Sequence, residues 1–371
     1  MKKKIGLLTF SYSSNPGSVL QAYALQKTLC EKLSCDVHII NYQKQQAGKP
    51  IIGKTVFMMP LRNWTPKNII KWIVRIVEHP VRMMPYKKFF NKYYNGYPTK
   101  HCLREELPSL EEKYDKFVVG SDQVWNFGSW NVDETYFLDF VKDGSKKISY
   151  AASLGNTEIP DQKRDIAQKL ISEFSHISVR ESASIDTISK LTGKQATLVL
   201  DPSLLLNKER YLELAIKPKQ EKYVLMYLRE DSPELERRAK EFARSKGLGF
   251  VKILKHWKCS ENGKSRKGLG PKQWLGYINN AEYIITNSFH GICFSIIFEK
   301  QFYVDYLKKV STLTNPRIQS ILNLFGLQSR NIDSVNSSAD ADLIDYTQVN
   351  KIISDLKEKS LNYLEKALKA E

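Results

Sequence analysis

Five short stretches put polar and charged side chains at the point where an apolar run stops. In "VVGSDQVWN", Val118, Val119 and Gly120 give way to Ser121, Asp122, Gln123, Trp125 and Asn126. A plain connecting turn needs Gly, Asn, Asp or Pro alone, so this density of hydrogen-bonding groups calls for a ligand. Asp122 offers a carboxylate that can accept from hydroxyls or take a proton, and the Trp125 indole could floor a cleft. "YIITNSFHG" ends in Asn287, Ser288 and His290, with Gly291 letting the backbone approach closely. Of all these groups only His290 changes charge near neutral pH, which suits general acid–base work. "ISVRE" carries Arg180, whose guanidinium fork fits a carboxylate or a phosphate. "VLDPS" carries Asp201, which before Pro202 reads as a turn residue rather than a catalyst. "SYSSNPGS" leads to Gly17 and an apolar run whose first amides could hold an anion. Ser288 has no acidic partner in sequence reach, so a serine-hydrolase triad is not indicated. Neither G-x-x-x-x-G-K-[ST] nor G-x-G-x-x-G occurs, so P-loop and dinucleotide readings fail.

Strands and helices must alternate to bring these tips together. Lys4 to Phe10, Val37 to Ile40, Lys116 to Val119, Ile148 to Ala151, Ile177 to Val179 and Thr197 to Leu200 read as strands. A second series runs from the strand Tyr223 to Leu228 through Phe250 to Leu254, Tyr283 to Thr286 and Phe302 to Val304, with helices between. Such alternation means parallel sheets covered by helices on both faces. The expected architecture is α/β, with two Rossmann-like domains facing across a cleft. Residues 1–200 would form the first domain, with a basic insertion at about 49–104, and residues 201–340 the second. Residues 341–371 carry Val349, Ile352, Ile353, Leu356, Tyr363, Leu364 and Leu368 at helical spacing, an amphipathic helix that could cross back onto the first domain. In parallel sheets ligands sit beyond the carboxyl ends of the strands, where the five stretches lie. "WKCSENGKSRKGLGP", rich in Gly, Ser and Lys, is expected to be a mobile loop.

The 371 residues carry a net charge of +17. Between Lys49 and Arg104 stand twelve lysines and arginines against one acid, Glu78. Such a patch wants an anionic partner. Within it, "PKNIIKWIVRIVEHP" sets Ile69, Trp72, Ile73, Ile76 and Val77 at helical spacing, with Lys67, Lys71 and Arg75 four apart on the other side. That pattern fits either an interfacial helix lying on an anionic membrane or a core-packing helix with a solvated basic face. No apolar run approaches the roughly 18 residues that span a bilayer, and "MKKKIGLLTF" reads as a first strand rather than a signal peptide. The five cysteines are odd in number and form no C-x-x-C pair, so neither a disulfide framework nor a metal site is expected. The expected location is cytoplasmic, either free or peripheral on the inner face of a membrane.

Taken in order, "NPGSVLQAYALQKTL", "YDKFVVGSDQVWN", "KISYAASLG", "ISVRE", "LVLDPSLLL", "AEYIITNSFHGICFSIIFEKQFYV" and "NPRIQSILNLFGL" resemble the polysaccharide pyruvyl transferases over roughly residues 4 to 330. "GSDQVWN" and "SFHG" together are the specific part. The chain departs at "SNPGS", where the family commonly has Asn-Tyr-Gly. The resemblance implies a glycosyltransferase-B-like fold. It also implies transfer of pyruvate from phosphoenolpyruvate to two sugar hydroxyls of a surface polysaccharide or its lipid-linked precursor, closing a cyclic ketal. It makes His290 the motif histidine, working as acid–base or protonating phosphate, with Arg180 on the donor anion and Arg317 as a second candidate. Asn287, Ser288, Gly291 and Gly17 would shape the donor pocket at the two helix starts. Ser121, Asp122, Gln123 and Trp125 would meet the acceptor, with Asp122 as a possible base. The donor is then a substrate; no cofactor or metal is required and no nucleic acid partner is expected. Two other readings stay open: a glycosyltransferase of the same fold using a nucleotide sugar, and a non-catalytic protein holding an anionic polymer. The first wants a ribose-binding carboxylate, for which only Glu299 offers itself; the second has no use for His290.

Overall fold

The computed structural model describes residues 2–42, 45–46, 49–50, 65–96, 101–128, 132–155, 158–229, 232–254, 258–261, 264–267, 269–306, 315–332 and 343–370. In chain order the first series is β1 (Lys4–Leu8), α1 (Pro16–Glu31), β2 (Asp36–Ile39), the short strands β3 (Gln45–Gln46) and β4 (Lys49–Pro50), α2 (Pro66–Tyr93), β5 (Lys116–Val119), β6 (Lys147–Ser149), α3 (Arg164–Ser172), β7 (Ser178–Val179), α4 (Ala183–Thr192) and β8 (Thr197–Leu198). The second is α5 (Lys208–Leu212), β9 (Tyr223–Tyr227), α6 (Pro233–Ser245), β10 (Gly249–Leu254), β11 (Lys258–Glu261), β12 (Lys264–Lys267), α7 (Pro271–Asn279), β13 (Tyr283–Thr286), α8 (Phe289–Ile297), β14 (Gln301–Val304), α9 (Asn315–Leu324) and α10 (Tyr346–Lys369).

The first sheet is parallel, in the order β2-β1-β5-β6. The parallel pair β7-β8 extends it through the bridges Ile148–His176 and Ala152–Val179. Every residue of β5 is buried, as expected of a parallel strand covered on both faces. The second sheet runs β12-β11-β10-β9-β13-β14, with β10, β9, β13 and β14 parallel. In each sheet the first strand of its series, β1 or β9, lies between two later ones. The connections therefore leave it in opposite directions, opening a crevice at its carboxyl end. The result is the expected α/β, glycosyltransferase-B-like arrangement.

The stretch expected to be a mobile loop is corrected by the structure: β11 and β12 form an antiparallel hairpin on the edge of the second sheet. Cys259 and Glu261 point inward, and Glu261 accepts the hydroxyl hydrogen of Tyr277.

Two helices join the halves. The carboxyl half of α2 buries Met83, Tyr86, Phe89 and Phe90 in a core shared with α1 and α7. Each buried aromatic contributes about 2–3 kcal/mol. Tyr94 donates to Val19 O at 2.9 Å, and Pro85 packs on Gly270. This half of the basic segment is thus a core helix; the side chains of Lys67, Lys71, Trp72 and Arg75 lie outside the described residues. Helix α10 returns to the first sheet. Tyr363 donates to Ser149 O at 2.8 Å, and Ser360 Oγ accepts from Leu200 N at 3.0 Å. Its Leu364 and Leu368 join the core that holds Ile5, Leu7 and Val37. Among the described residues no helix is long and apolar enough to cross a membrane.

Candidate active site

The two crevices face each other and merge into a cleft of about 310 Å³. Ser13, Asn15, Ser18, Asp122 and Gln123 line it from the first sheet, and Arg229, Asn287, Ser288, His290 and Arg317 from the second half. Two helices present their amino ends to it. Asn15 caps α1, its Oδ1 accepting from Gly17 N at 3.0 Å, and Pro16 takes the first helical position, where its missing N–H is no loss. Ser288 caps α8, its Oγ accepting from Gly291 N at 3.3 Å. Both helix dipoles therefore favour negative charge in the cleft.

The glycines explain how the halves come so close. A Cβ on Gly17 would lie 2.4 Å from Cγ of His290, so the imidazole rests directly on the α1 backbone. A Cβ on Gly291 would lie 2.3 Å from Thr286 Oγ1, which binds Tyr227 O and the Ser288 amide. Asn287 Oδ1 accepts from Arg229 N at 2.6 Å, tying the tips of β9 and β13 together.

Asp122 sits at φ +83°, a left-handed conformation that costs a non-glycine residue energy and is common at working sites. Its Oδ2 accepts from Ser18 Oγ at 2.5 Å and its Oδ1 from Gln123 N at 2.9 Å. Burial opposes its ionisation, but His290, Arg180 and these hydrogen bonds outweigh it and hold the carboxyl at about 2. Asp122 is therefore a carboxylate at neutral pH.

Arg180 is placed differently from its expected role. Its side chain is buried behind the cleft, donating from Nη1 to Asp201 Oδ2 at 2.9 Å and Ser121 Oγ at 3.1 Å, and from Nε to Glu181 Oε1 at 3.0 Å. Its Nη2 lies 3.9 Å from Asp122, and its guanidinium stacks on Phe289 at 4.1 Å. Burial disfavours its charge, yet Glu181, Asp201 and Asp122 raise its pKa above the ordinary value. It is already an ion-pair hub, and among the described residues only its Nη2 lacks a hydrogen bond.

Arg317 is the opposite case. It lines the cleft, is 5% exposed, and makes no ion pair among the described residues. Burial, reinforced by Arg180, pushes its guanidinium down to about 10. His290 is likewise buried, and its Nε2, 3.8 Å from Asp201 Oδ2, has no hydrogen-bond partner among the described residues. Burial lowers its pKa; Asp201 and Asp122 oppose this and Arg180 and Arg317 add to it. Burial thus favours the neutral imidazole.

Of the residues singled out in the sequence, Asp122, Gln123, Asn287, Ser288, His290 and Arg317 line the cleft, with Gly17 and Gly291 forming its close contacts. Ser121 is fully buried behind them, donating to Asp201 Oδ2 at 2.8 Å. Trp125 does not floor the cleft. It is fully buried in the first domain, stacked on Phe137 and edge-on to Phe174, and its Nε1 donates to Tyr136 O at 3.0 Å. The indole closes the core beneath the tip of β5. Asp201 does cap a turn, with Oδ1 accepting from Ser203 N at 3.0 Å, but its Oδ2 also anchors Arg180 and faces His290. Arg229 was not singled out, though the strand-tip rule applied to β9 finds it; Ser18 closes the stretch "SYSSNPGS" but was given no role of its own.

Similarity to solved structures is spread over nearly the whole chain at low identity. A UDP-GlcNAc 2-epimerase from Methanocaldococcus jannaschii is 13% identical, covering 96% of this chain and 100% of its own, with a TM-score of 0.42. A UDP-GlcNAc 2-epimerase from Neisseria meningitidis is 10% identical, covering 100% and 95%, also with a TM-score of 0.42. The glycotransferase of kitacinnamycin is 12% identical, covering 100% and 95%, with the same TM-score. Among curated proteins none matches. The family model described as polysaccharide pyruvyl transferase matches residues 15–304, from the cap of α1 to the end of β14. That span takes in every cleft-lining group named above except Ser13 and Arg317, and the chain belongs to the polysaccharide pyruvyl transferase family.

Proposed function

We propose that the cleft transfers pyruvate from phosphoenolpyruvate to two hydroxyls of a sugar, in a surface polysaccharide or its lipid-linked precursor, leaving a cyclic ketal and inorganic phosphate. Family membership supports a pyruvyl-transferring enzyme. The observation that carries the donor assignment is Arg317, a buried guanidinium at the mouth of two helix amino ends that makes no ion pair among the described residues, Glu181 and Asp122 acting on it only at longer range. A buried charge is normally paired, and a donor bearing carboxylate and phosphate supplies the missing partner. Arg229, exposed at the same wall, is a second cation for it.

The reaction needs four proton movements. C3 of the enol gains a proton, and C2 becomes oxocarbenium-like. The first sugar hydroxyl bonds to C2 and loses its proton. The C2–O bond to phosphate breaks, with a proton going to the leaving oxygen. The second hydroxyl then attacks C2 and loses its proton, closing the ring. His290, neutral in the free site, accepts a hydroxyl proton and returns it to phosphate as acid. Arg317, Arg229 and the α8 amides stabilise the charge developing on phosphate. Asp122 and Gln123 orient the acceptor hydroxyls; a carboxyl held at about 2 is a better hydrogen-bond acceptor than proton carrier.

The test is ligand-induced thermal stabilisation, followed by phosphate release in the presence of a competent acceptor. Phosphoenolpyruvate should stabilise the wild type, and His290→Ala should bind it yet lose at least ~100-fold in turnover. Stabilisation by a UDP-sugar and not by phosphoenolpyruvate would overturn the assignment in favour of a glycosyltransferase.

A further inference from the structure

On α2 the buried Met83, Tyr86, Phe89 and Phe90 occupy one side of the helix. The opposite side carries Val81, Met84, Lys88 and Lys92, which follow one another at steps of three and four and so form a single stripe. Val81 is 43% exposed and Met84 53%. A shallow groove of about 250 Å³ adjoins the stripe, joining Pro85, Lys88 and Lys92 to Ile216 and Lys272 of the second half. Ile216 is 43% exposed. Tyr93 lies between two ammonium groups, with Lys92 at 5.5 Å and Lys272 at 5.8 Å from its ring centroid. These contacts hold both lysines at the rim. No aspartate or glutamate occurs in the sequence from His79 to Arg104.

We infer that this face of α2, with Ile216 and Lys272, docks the protein on a bilayer containing anionic phospholipid. The combination of groups selects that partner. A soluble polyanion needs cations alone and gains nothing from exposed valine, methionine and isoleucine. A bilayer interface takes both, apolar side chains into the headgroup–acyl boundary and lysines onto the anionic headgroups. Large exposed apolar side chains are otherwise few among the described residues, and three of the five, Val81, Met84 and Ile216, stand here. The docking residues differ from Lys67, Lys71 and Arg75, and the inference does not depend on the reaction assigned to the cleft. Because α2 packs on α1 and α7 at once, a docked α2 would hold both halves of the cleft near the membrane surface.

The test is flotation of the full-length protein with phosphatidylcholine vesicles, with and without phosphatidylglycerol, at low and high salt. Wild type should float with the anionic vesicles at low salt and at least tenfold less with neutral vesicles. High salt should weaken binding, because the Debye length falls from about 10 Å at 0.1 M to about 3 Å at 1 M. Lys88→Glu/Lys92→Glu/Lys272→Glu should reduce the bound fraction at least tenfold, leaving the melting temperature and turnover on a soluble acceptor unchanged. Val81→Ser/Met84→Ser, which keeps every charge, should also reduce it severalfold, and this variant separates a bilayer from a charge-only partner. The inference is overturned if wild type fails to float, or if either variant floats as wild type does. Binding to soluble polyphosphate without binding to vesicles overturns it as well.

Discussion

Asp201 Oδ2 lies 3.8 Å from Nε2 of His290 and accepts a hydrogen bond from Arg180 Nη1 at 2.9 Å. One buried carboxylate at the junction of the two halves thus neutralises the guanidinium behind the cleft and faces the imidazole within it. Its other oxygen is fixed by Ser203, so it cannot turn away from both. Asp201 is in this sense a positioning residue for His290. Asp201→Asn keeps the shape and removes the charge. Since the Asp201 charge raises the pKa of His290, the variant should move the acid limb of the kcat/KM profile to lower pH. A merely structural role predicts loss of stability, about 3–5 kcal/mol for a broken buried pair, with the limb unmoved.

Arg317 should show a trade between stability and binding. Without donor, Arg317→Met replaces a buried charge that has no ion pair among the described residues by an apolar side chain, and the melting temperature should rise. The donor KM should rise at least ~10-fold, as expected for loss of a charged hydrogen bond of about 1.5–3 kcal/mol. Thermal melts and initial rates check both; a lower melting temperature with an unchanged donor KM contradicts the assignment.

Arg180→Lys is expected to act chiefly on stability. The fork that holds Asp201, Ser121 and Glu181 has no lysine equivalent, so at least two buried acceptors lose a donor. Denaturant unfolding should show a loss on the order of 2–4 kcal/mol. A large rise in donor KM at full stability would instead place Arg180 on the donor.

Asp122 links the site to acid stability. Its folded pKa of about 2 lies below the ordinary 3.8. The unfolded chain therefore takes up its proton first as pH falls. The stabilisation is fully present above 3.8 and is lost as pH drops toward 2. It amounts to roughly 2 kcal/mol. Asp122→Asn should flatten the stability–pH curve in that window, which urea titrations at pH 2 to 5 can read.

Gly17→Ala puts a methyl against the His290 ring. Either the imidazole or the amino end of α1 must move. Turnover should fall at least ~10-fold, because misplacement of a reacting group by even 1 Å is costly. Trp125→Phe is the contrasting case: it should lower stability by about 1–3 kcal/mol through loss of the buried indole hydrogen bond to Tyr136 O and leave both substrate KM values unchanged.

The alternation of apolar runs and turn signals was enough to read two parallel sheets, because a buried parallel strand must be apolar on both faces and its tip must be polar. Asp122, Gln123, Asn287, Ser288 and His290 were legible for the same reason. Polar groups at the ends of core strands have no packing role to explain them. What a tip residue touches is another matter. Arg180 and Trp125 follow such ends and Arg317 opens α9, yet Arg180 is an ion-pair hub, Arg317 a cleft cation with no ion pair among the described residues, and Trp125 a core side chain. No local pattern separates them, since each outcome depends on which carboxylates and rings arrive from distant segments. Asp201 read as a turn residue because its capping bond to Ser203 is local, while its bonds to Ser121 and Arg180 span 80 and 21 positions. Sequence spacing determined which residues reach the strand tips. The docking of the two halves, fixed by long-range packing of α2 and α10, alone decided which of them meet across the cleft.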